Sequence, residues 1–544
     1  MDRIIWLRMI IWKRSLFIIF CFLSLVVLHL LSLVHQGITY DEPNHYAYGQ
    51  TIASGQSVKV WGREGTAMPF SGFNVIIPRM VGEVFSFTGL TKNPSTFETI
   101  YSGRYVTILF SLILAWLVMS WATELYGLPA GLAALFFCCF DPNIIAHSQL
   151  VTADLNCALM VTASSYFFWR FMCFGGVARA ILSAFILGMA PLAKYSCMAL
   201  YPLFFLFIVV TRIPWLMGCI YENEFRILWK KVLLFLGYCI LFCTVIVFTI
   251  NLGYFFNKSG TPLKGYHFYS PIFKELQKST IADLPLPLPT PFLEGLDDFL
   301  NTDTNGAPGL TYLLGHTHPT GHGNRVYGYF FWALLFKTPI ALMIIFFWAI
   351  FNYLRRWIGG YYFFREDKSF INNEAYLFLP VVFYLIYFNY CISVQVGIRH
   401  VLYVFPLCWI FASSVFLHWK QQSPIIKSAL YALSLYLLIS TVSYFPHFIS
   451  YFNEIVFDRR QAYKFLADSN LDWGGTQWYV DEYIKKHPDT IFEPPGPMNG
   501  HIMVGVNHLA GLTEPEKYRW LRENYEPVDQ VAYNHLVYDV KNLK

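Results

Sequence analysis

Apolar residues along the chain fall into long runs separated by short polar connections. Runs of spanning or near-spanning length occupy about 15–34, 104–121, 128–141, 148–170, 178–193, 196–211, 231–250, 329–351, 374–391, 399–418 and 425–445. A helix rises about 1.5 Å per residue, so roughly 20 apolar residues cross a hydrocarbon layer about 30 Å thick. The pattern predicts an all-α polytopic membrane protein with about eleven transmembrane helices, those at 128–141 and 178–193 being short. Three stretches break it. Residues 35–103 carry polar groups and a semi-apolar part around Arg79 and Glu83, which predicts helices along the membrane interface. Residues 251–328 are rich in Pro and Gly, including Pro285-Leu286-Pro287-Leu288-Pro289, and predict an ordered or partly mobile loop. Residues 446–544 mix aromatics with charges and predict a small C-terminal α+β soluble region with a strand at 502–506. The chain thus divides into a membrane module, 1–445, and a C-terminal region, 446–544.

Basic residues set the orientation, because cytoplasmic loops carry the excess of Lys and Arg. Arg3, Arg8, Lys13 and Arg14 precede the first run. Counting spans alternately from a cytoplasmic N-terminus, Arg170 and Arg179 fall inside. So do Arg212, Arg226, Lys230 and Lys231, then Arg355, Arg356, Arg365 and Lys368, then Lys420 and Lys427. Segments 35–103, 142–147, 251–328 and the tail from 446 fall outside. The first run has a basic flank but no small-residue cleavage site after it, and is expected to stay as an uncleaved span.

Composition agrees with this class. Apolar residues make up 56% and charged residues 13%, about half the charged share of a soluble domain. The net charge of +5 is spread over many short loops, with no basic domain for nucleic acid. None of the 11 cysteines falls in 251–328 or 446–544, so no disulfide framework holds the outer segments and no CxxC metal site exists.

The candidate chemistry gathers on the outer side. The stretch Tyr40-Asp41-Glu42-Pro43-Asn44-His45-Tyr46 puts two carboxylates at the mouth of the first span, where desolvation is costly. Asp154 lies near the outer end of the fourth run, in His147-Ser148-Gln149-Leu150-Val151-Thr152-Ala153-Asp154. Converging carboxylates of this kind suit a general base that takes a proton from a hydroxyl, with a neighbour tuning it or binding a cation. Arg104, Lys194 and Arg399-His400 are cations at outer span ends, suited either to snorkelling or to holding a phosphate at the bilayer surface. The histidines of His316-Thr317-His318 and His322 lack the spacing of a structural zinc site and are expected at the surface. Loop 468–475 is turn-like and a candidate for binding a polar ligand. No P-loop, GxGxxG or GxSxG segment occurs in a strand–turn–helix setting.

These motifs resemble the GT-C superfamily of membrane glycosyltransferases, in particular the glycosyltransferase family 39-like bacterial relatives of protein O-mannosyltransferases. The resemblance runs through Tyr40-Asp41-Glu42, Asp141-Pro142-Asn143 to His147 and Asp154, and Leu192-Ala193-Lys194-Tyr195-Ser196. It continues in Phe336-Lys337-Thr338-Pro339, Gly397-Ile398-Arg399-His400, Phe445-Pro446-His447 to Asn453-Glu454, and Asp468-Ser469-Asn470-Leu471-Asp472-Trp473-Gly474. Relatives commonly carry Gln and an acidic residue after the last motif, where this chain has Gly475 and Thr476. The resemblance implies sugar transfer from a polyprenyl-phosphate donor to an acceptor hydroxyl on a protein, lipid or glycan, with inversion, on the periplasmic face of a bacterial inner membrane. Asp41 would be the base, and Glu42 and Asp154 would orient the acceptor or bind a divalent cation, no cofactor being strictly required. Arg104, Lys194 and Arg399 would neutralise the departing lipid phosphate. His45, His147, His400, Asn470, Asp472 and Trp473 complete the substrate-binding candidates. A transporter or flippase for lipid-linked sugars would also keep carboxylates in a membrane cavity, but transporters often show inverted repeats and none is visible here. A non-catalytic assembly factor would tolerate loss of Asp41.

Overall fold

The computed structural model describes residues 2–60, 65–221, 225–305, 309–321, 323–358 and 370–543; His322, Arg365 and Lys368 lie outside the described residues. Helix α1 (Asp2–His35) leads through an irregular segment to α2 (Glu42–Ala53) and α3 (Phe73–Phe87). Helices α4 (Ile100–Tyr126) and α5 (Leu128–Cys139) meet at Gly127, whose φ of 87° lets the chain reverse in one residue. Next come α6 (Pro142–His147), α7 (Ala153–Phe174), α8 (Val177–Ala193), α9 (Leu200–Tyr221) and α10 (Phe225–Gly253). Stretch 251–328 is more regular than its Pro and Gly content suggests. It holds α11 (Pro271–Gln277), α12 (Thr290–Asn305) and a hairpin of β1 (Gly309–Leu313) and β2 (His316–Thr320). Asn251 Nδ2 to Pro287 O and the Asp297 carboxylate to the Tyr269 and Ser270 amides tie this segment down by side-chain bonds that composition does not reveal.

Then follow α13 (Tyr329–Lys337), α14 (Ile340–Ile358), α15 (Ala375–Tyr390), α16 (Val404–Ala412) and α17 (Pro424–Val442). The tail adds α18 (Gln477–Lys486), β3 (Thr490–Phe492), β4 (Gly500–Gly505), α19 (Val506–Ala510), α20 (Arg519–Asn524), β5 (Asp529–Val531) and β6 (His535–Val540). Its strands form one sheet in the order β3-β4-β6-β5, parallel between β3 and β4 and antiparallel elsewhere. Residues 448–473 do not stand apart from the helices, because Tyr451, Asn453 and Asn470 are buried and bonded within them.

Every apolar run contains helix, but six of the described helices are long and apolar enough to cross a membrane: α1, α4, α7, α9, α10 and α17. The pair α13–α14 passes only jointly, bent by 111°, and α5, α8, α15 and Val404–Phe416 are shorter. Among the described residues, length alone thus supports six or seven of the roughly eleven expected spans. A run of apolar letters does not guarantee a continuous helix: α5 stops before Asp141-Pro142, where Asp141 caps the next helix by accepting from the Asn143 and Ile144 amides. Helix α7 lies at the centre, with 72% of its span buried against 11% for α10.

The break between α13 and α14 follows from Pro339, which has no N–H and forces the preceding residue towards extended backbone; Thr338 has ψ 128°. The carbonyls this frees are all met. Asn453 donates from Nδ2 to Leu335 O (2.6 Å) and Thr338 O (2.7 Å) and from its amide to Phe336 O, while Asn143 Nδ2 donates to Lys337 O. Lys337 itself is buried, and its ammonium donates to Ile449 O (2.7 Å) and Asn470 O (2.6 Å). Four motifs distant in sequence thus form one polar joint.

Candidate functional site

Five chain segments end at one place. Asp41 occupies the N-cap of α2 and Asp154 the first turn of α7, so each carboxylate meets the positive end of a helix dipole. Lys194 follows the last residue of α8, Arg399 sits in a short 3-10 turn, and Ser469 and Trp473 come from loop 468–475. Arg399 Nη1 donates to Asp41 Oδ2 at 2.8 Å and lies 3.7 Å from Asp154 Oδ2. Lys194 Nζ donates to Asp154 Oδ1 at 2.8 Å. The four groups form an alternating chain, Asp41–Arg399–Asp154–Lys194, with formal charges that cancel. Arg399 is aimed by two further contacts: its Nε donates to Ser469 Oγ (3.2 Å), and its guanidinium lies 4.1 Å over the Trp473 ring. Burial opposes the charge on Arg399, but Asp154 and Asp41 outweigh it and keep it protonated; Asp154 does the same for Lys194. The two carboxylates differ in access. The Asp41 side chain is 26% exposed and that of Asp154 only 3%.

Three histidines line the cluster. Burial pushes His45 down to about 4 and His147 to about 3, and takes His400 well below its ordinary value, so all three are neutral at pH 7. His45 feels Asp41, Asp154, Arg399 and Lys194; His147 packs beside the Trp473 ring at 5.7 Å. His45 Nδ1, His147 Nδ1, His400 Nε2 and Asp154 Oδ2 are buried with no hydrogen-bond partner within the protein. Such groups cost about 1–3 kcal/mol each when left unmet, and they are the ones with capacity to take hydrogen bonds from a polyol.

Glu42 and Arg104 are not part of this cluster. Both side chains are fully buried and pair with each other: Arg104 Nε to Glu42 Oε1 at 2.8 Å and Nη2 to Oε2 at 2.6 Å. Glu42 also accepts from Thr39 N, Thr39 Oγ1 and Val151 N, while Arg104 donates to Gln36 O and Gly37 O. With its guanidinium committed and without solvent access, Arg104 does not present itself to a lipid phosphate, and Glu42 does not present itself to an acceptor. Asn470 is likewise fully buried, its amide bonded to Ile398 N, Tyr329 OH and Ala467 O. Asp472 turns to the tail, accepting from Gly474 N and Asn534 Nδ2. These four hold the scaffold. Asp41, Asp154, Lys194, Arg399, His45, His147, His400 and Trp473 make the cluster.

The loop carrying Asp41 is pinned by loop 468–475: Gly37 N donates to Gly475 O and Tyr40 N to Trp473 O. A Cβ on Gly475, at φ 82°, would meet Gln36 Nε2 at 2.5 Å and Gly37 O at 2.7 Å. Close backbone approach therefore accounts for glycine here. Sequence inspection missed Ser469 as the partner of Arg399, and Asn534 and Asn507, which hold Asp472 from the tail. The first lies inside a motif already singled out; the other two carry no local signal. Among the described residues no group of three or more His, Cys, Asp and Glu is placed to hold a metal ion. Asp41 and Asp154 face cations instead, so these residues do not fit a metal centre.

No family model matches the chain, and no curated protein matches it in sequence. Among solved structures it is similar to the oligosaccharyltransferase of Archaeoglobus fulgidus in the apo form, with TM-score 0.44 and 13% identity over 86% of this chain and 58% of that one. The chain thus spans less than two thirds of that protein. It is also similar to ArnT from Cupriavidus metallidurans bound to undecaprenyl phosphate, with TM-score 0.44 and 12% identity over 96% of this chain and 97% of that one. At these TM-scores neither likeness carries a functional argument, and the chemistry rests on the residues of the cluster.

Proposed function

We propose that the protein is an integral-membrane glycosyltransferase that moves a sugar from a polyprenyl-phosphate carrier to an acceptor hydroxyl. The observation that carries this is the alternating chain Asp41–Arg399–Asp154–Lys194, gathered at the end of α7 that carries Asp154, a helix long and apolar enough to cross a membrane. A lipid-borne phosphate arriving there meets two cations. Arg399 and Lys194 turn part of their charge to it and loosen their hold on the carboxylates. Asp41, the accessible carboxylate, then takes the acceptor proton as the hydroxyl oxygen attacks the anomeric carbon from the face opposite the phosphate. The C1–O bond breaks, its electron pair stays with the polyprenyl phosphate, and the configuration inverts. Asp154 holds both cations in place, and the developing phosphate charge is stabilised in a site poor in water. The neutral histidines and Trp473 surround the sugar. The scheme needs no metal.

The active face is extracytoplasmic. Helix α7 places Asp154 at one end and Arg170 near the other, and the basic loops group with Arg170 under the rule for cytoplasmic charge. The N-terminus is then cytoplasmic, the tail periplasmic, and the membrane a bacterial inner membrane. The acceptor is a hydroxyl of a protein, lipid or glycan.

The test uses purified protein in nanodiscs with radiolabelled polyprenyl-phosphate sugars. Wild type is expected to turn over one donor, and Asp41→Asn to bind that donor with turnover reduced at least 1000-fold; a chelator leaves the rate unchanged. Full activity of Asp41→Asn removes it as the base. Donor binding without cleavage by wild type points to transport instead.

A further inference from the structure

A large apolar cavity lies between α7, α8, α9 and α10, away from the carboxylate cluster. It holds about 1090 Å³ and is walled by side chains such as Phe171, Ile208, Phe235 and Phe242. Small-molecule sites usually run to about 1,000 Å³ with a few polar groups to orient the ligand. Here the charged groups are at one end: Arg212 of α9 and Lys231 of α10. That end is remote from the cluster. Phe171 stands 17 residues beyond Asp154 along the unbroken α7, about 25 Å at 1.5 Å per residue. Arg212 stands as far beyond Lys194, and Lys231 lies near the start of a 29-residue helix whose far end carries Asn251, bonded to the outer loop at Pro287. The cations therefore mark the membrane face opposite Asp41 and Asp154. Helix α10 is peripheral, with 11% of its span buried, so the cavity is reached from the bilayer.

We infer that this cavity is a binding site for an anionic glycerophospholipid of the opposite leaflet, its acyl chains filling the apolar volume and its headgroup phosphate lying between Arg212 and Lys231. Long basic side chains at span ends commonly snorkel to headgroups wherever they occur, but snorkelling alone leaves no cavity behind the charge. Basic pockets between membrane helices are the sites where anionic headgroups are held. A zwitterionic lipid would offer the same chains while placing its own cation against two others. The polyprenyl carrier is a second source of chain plus phosphate, but its phosphate belongs at Lys194 and Arg399, a bilayer's thickness away. The site holds the peripheral α9–α10 pair to the central α7; setting the carrier aside rests on the sugar-transfer proposal, and the parallel arm with undecaprenyl phosphate tests that choice separately.

The test is native mass spectrometry of wild type released from nanodiscs of equimolar phosphatidylglycerol and phosphatidylcholine, with undecaprenyl phosphate added in a parallel arm. Wild type is expected to retain one phosphatidylglycerol in at least tenfold preference to phosphatidylcholine. The double variant Arg212→Gln/Lys231→Gln, at exposed positions, is expected to lose that retention about tenfold while remaining monodisperse. Cys243→Trp, which projects a bulky ring into the cavity and keeps both cations, is expected to weaken it as well. Equal retention of the two phospholipids by wild type, a comparison that needs no variant, overturns the site, as does unchanged retention in either variant. Retention of undecaprenyl phosphate in place of phosphatidylglycerol, lost in the double variant, assigns the cavity to the carrier and overturns the inference.

Discussion

Glu42→Gln separates the duties of two adjacent carboxylates. Glu42 accepts five hydrogen bonds on two oxygens: from Arg104 Nε and Nη2, from the Thr39 amide and hydroxyl, and from the Val151 amide. A glutamine offers one acceptor oxygen and turns an NH2 group towards donors, so at least two of the five lose their acceptor. The Arg104 guanidinium, with no solvent exposure, also loses its counter-charge. Breaking a buried pair by removing one partner costs about 3–5 kcal/mol, a large share of the roughly 5–15 kcal/mol by which a folded domain exceeds its unfolded state. Arg104 also holds Gln36 O and Gly37 O, so the damage centres on residues 36–42. The expected outcome is a fall of several degrees in the unfolding midpoint, read by tryptophan fluorescence in detergent, with faster proteolysis in that segment. Asp41→Asn, by contrast, alters one contact of a partly exposed group and is expected to leave the midpoint within about 1 °C while abolishing transfer. A Glu42→Gln protein with a wild-type midpoint and no activity would refute the structural role.

Other outcomes follow from the same geometry. Arg399→Lys keeps the charge but loses the planar stack on Trp473 and the simultaneous reach to Asp41 and Ser469, so kcat/KM for a donor should fall about 100-fold, which steady-state kinetics will read. Asn453→Ala strands Leu335 O and Thr338 O at the bend, at about 1–3 kcal/mol for each buried carbonyl; chemical unfolding should show the loss, and an unchanged midpoint would mean that water replaces the amide. His45 and His147 are held neutral by burial, down to about 4 and about 3 respectively, and His400 is also lowered. Between about pH 6.5 and pH 4 the unfolded chain therefore binds more protons than the folded one, and stability should fall as pH drops through that window, by at most about 1.4 kcal/mol per pH unit for each histidine. Thermal unfolding at pH 7 and pH 5 measures this, and a higher midpoint at pH 5 would contradict it.

The pattern of apolar letters alone carries the helical, membrane-length character of the chain, because spanning a bilayer requires apolar side chains in long runs. It also marked Asp41, Asp154, Lys194 and Arg399, since charge at the end of a span is costly and stands out against apolar neighbours. The bend at Thr338-Pro339, inside the run 329–351 read as one span, comes from a proline that the apolar pattern hides. Which charges face one another is set by packing between distant segments. Glu42 lies beside Asp41 in sequence, yet its partners are Arg104, 62 residues away, and Val151, 109 away. Asn470 and Asp472 share a loop with Trp473, but their partners, Tyr329 and Asn534, draw them into the scaffold while Trp473 lies under Arg399. The same runs of letters do not settle how many spans run the full thickness, because helix length is set by where caps and prolines fall. Whether a polar residue holds the fold or meets a substrate depends on burial and on partners supplied by distant segments, and neither is encoded within reach of the residue itself.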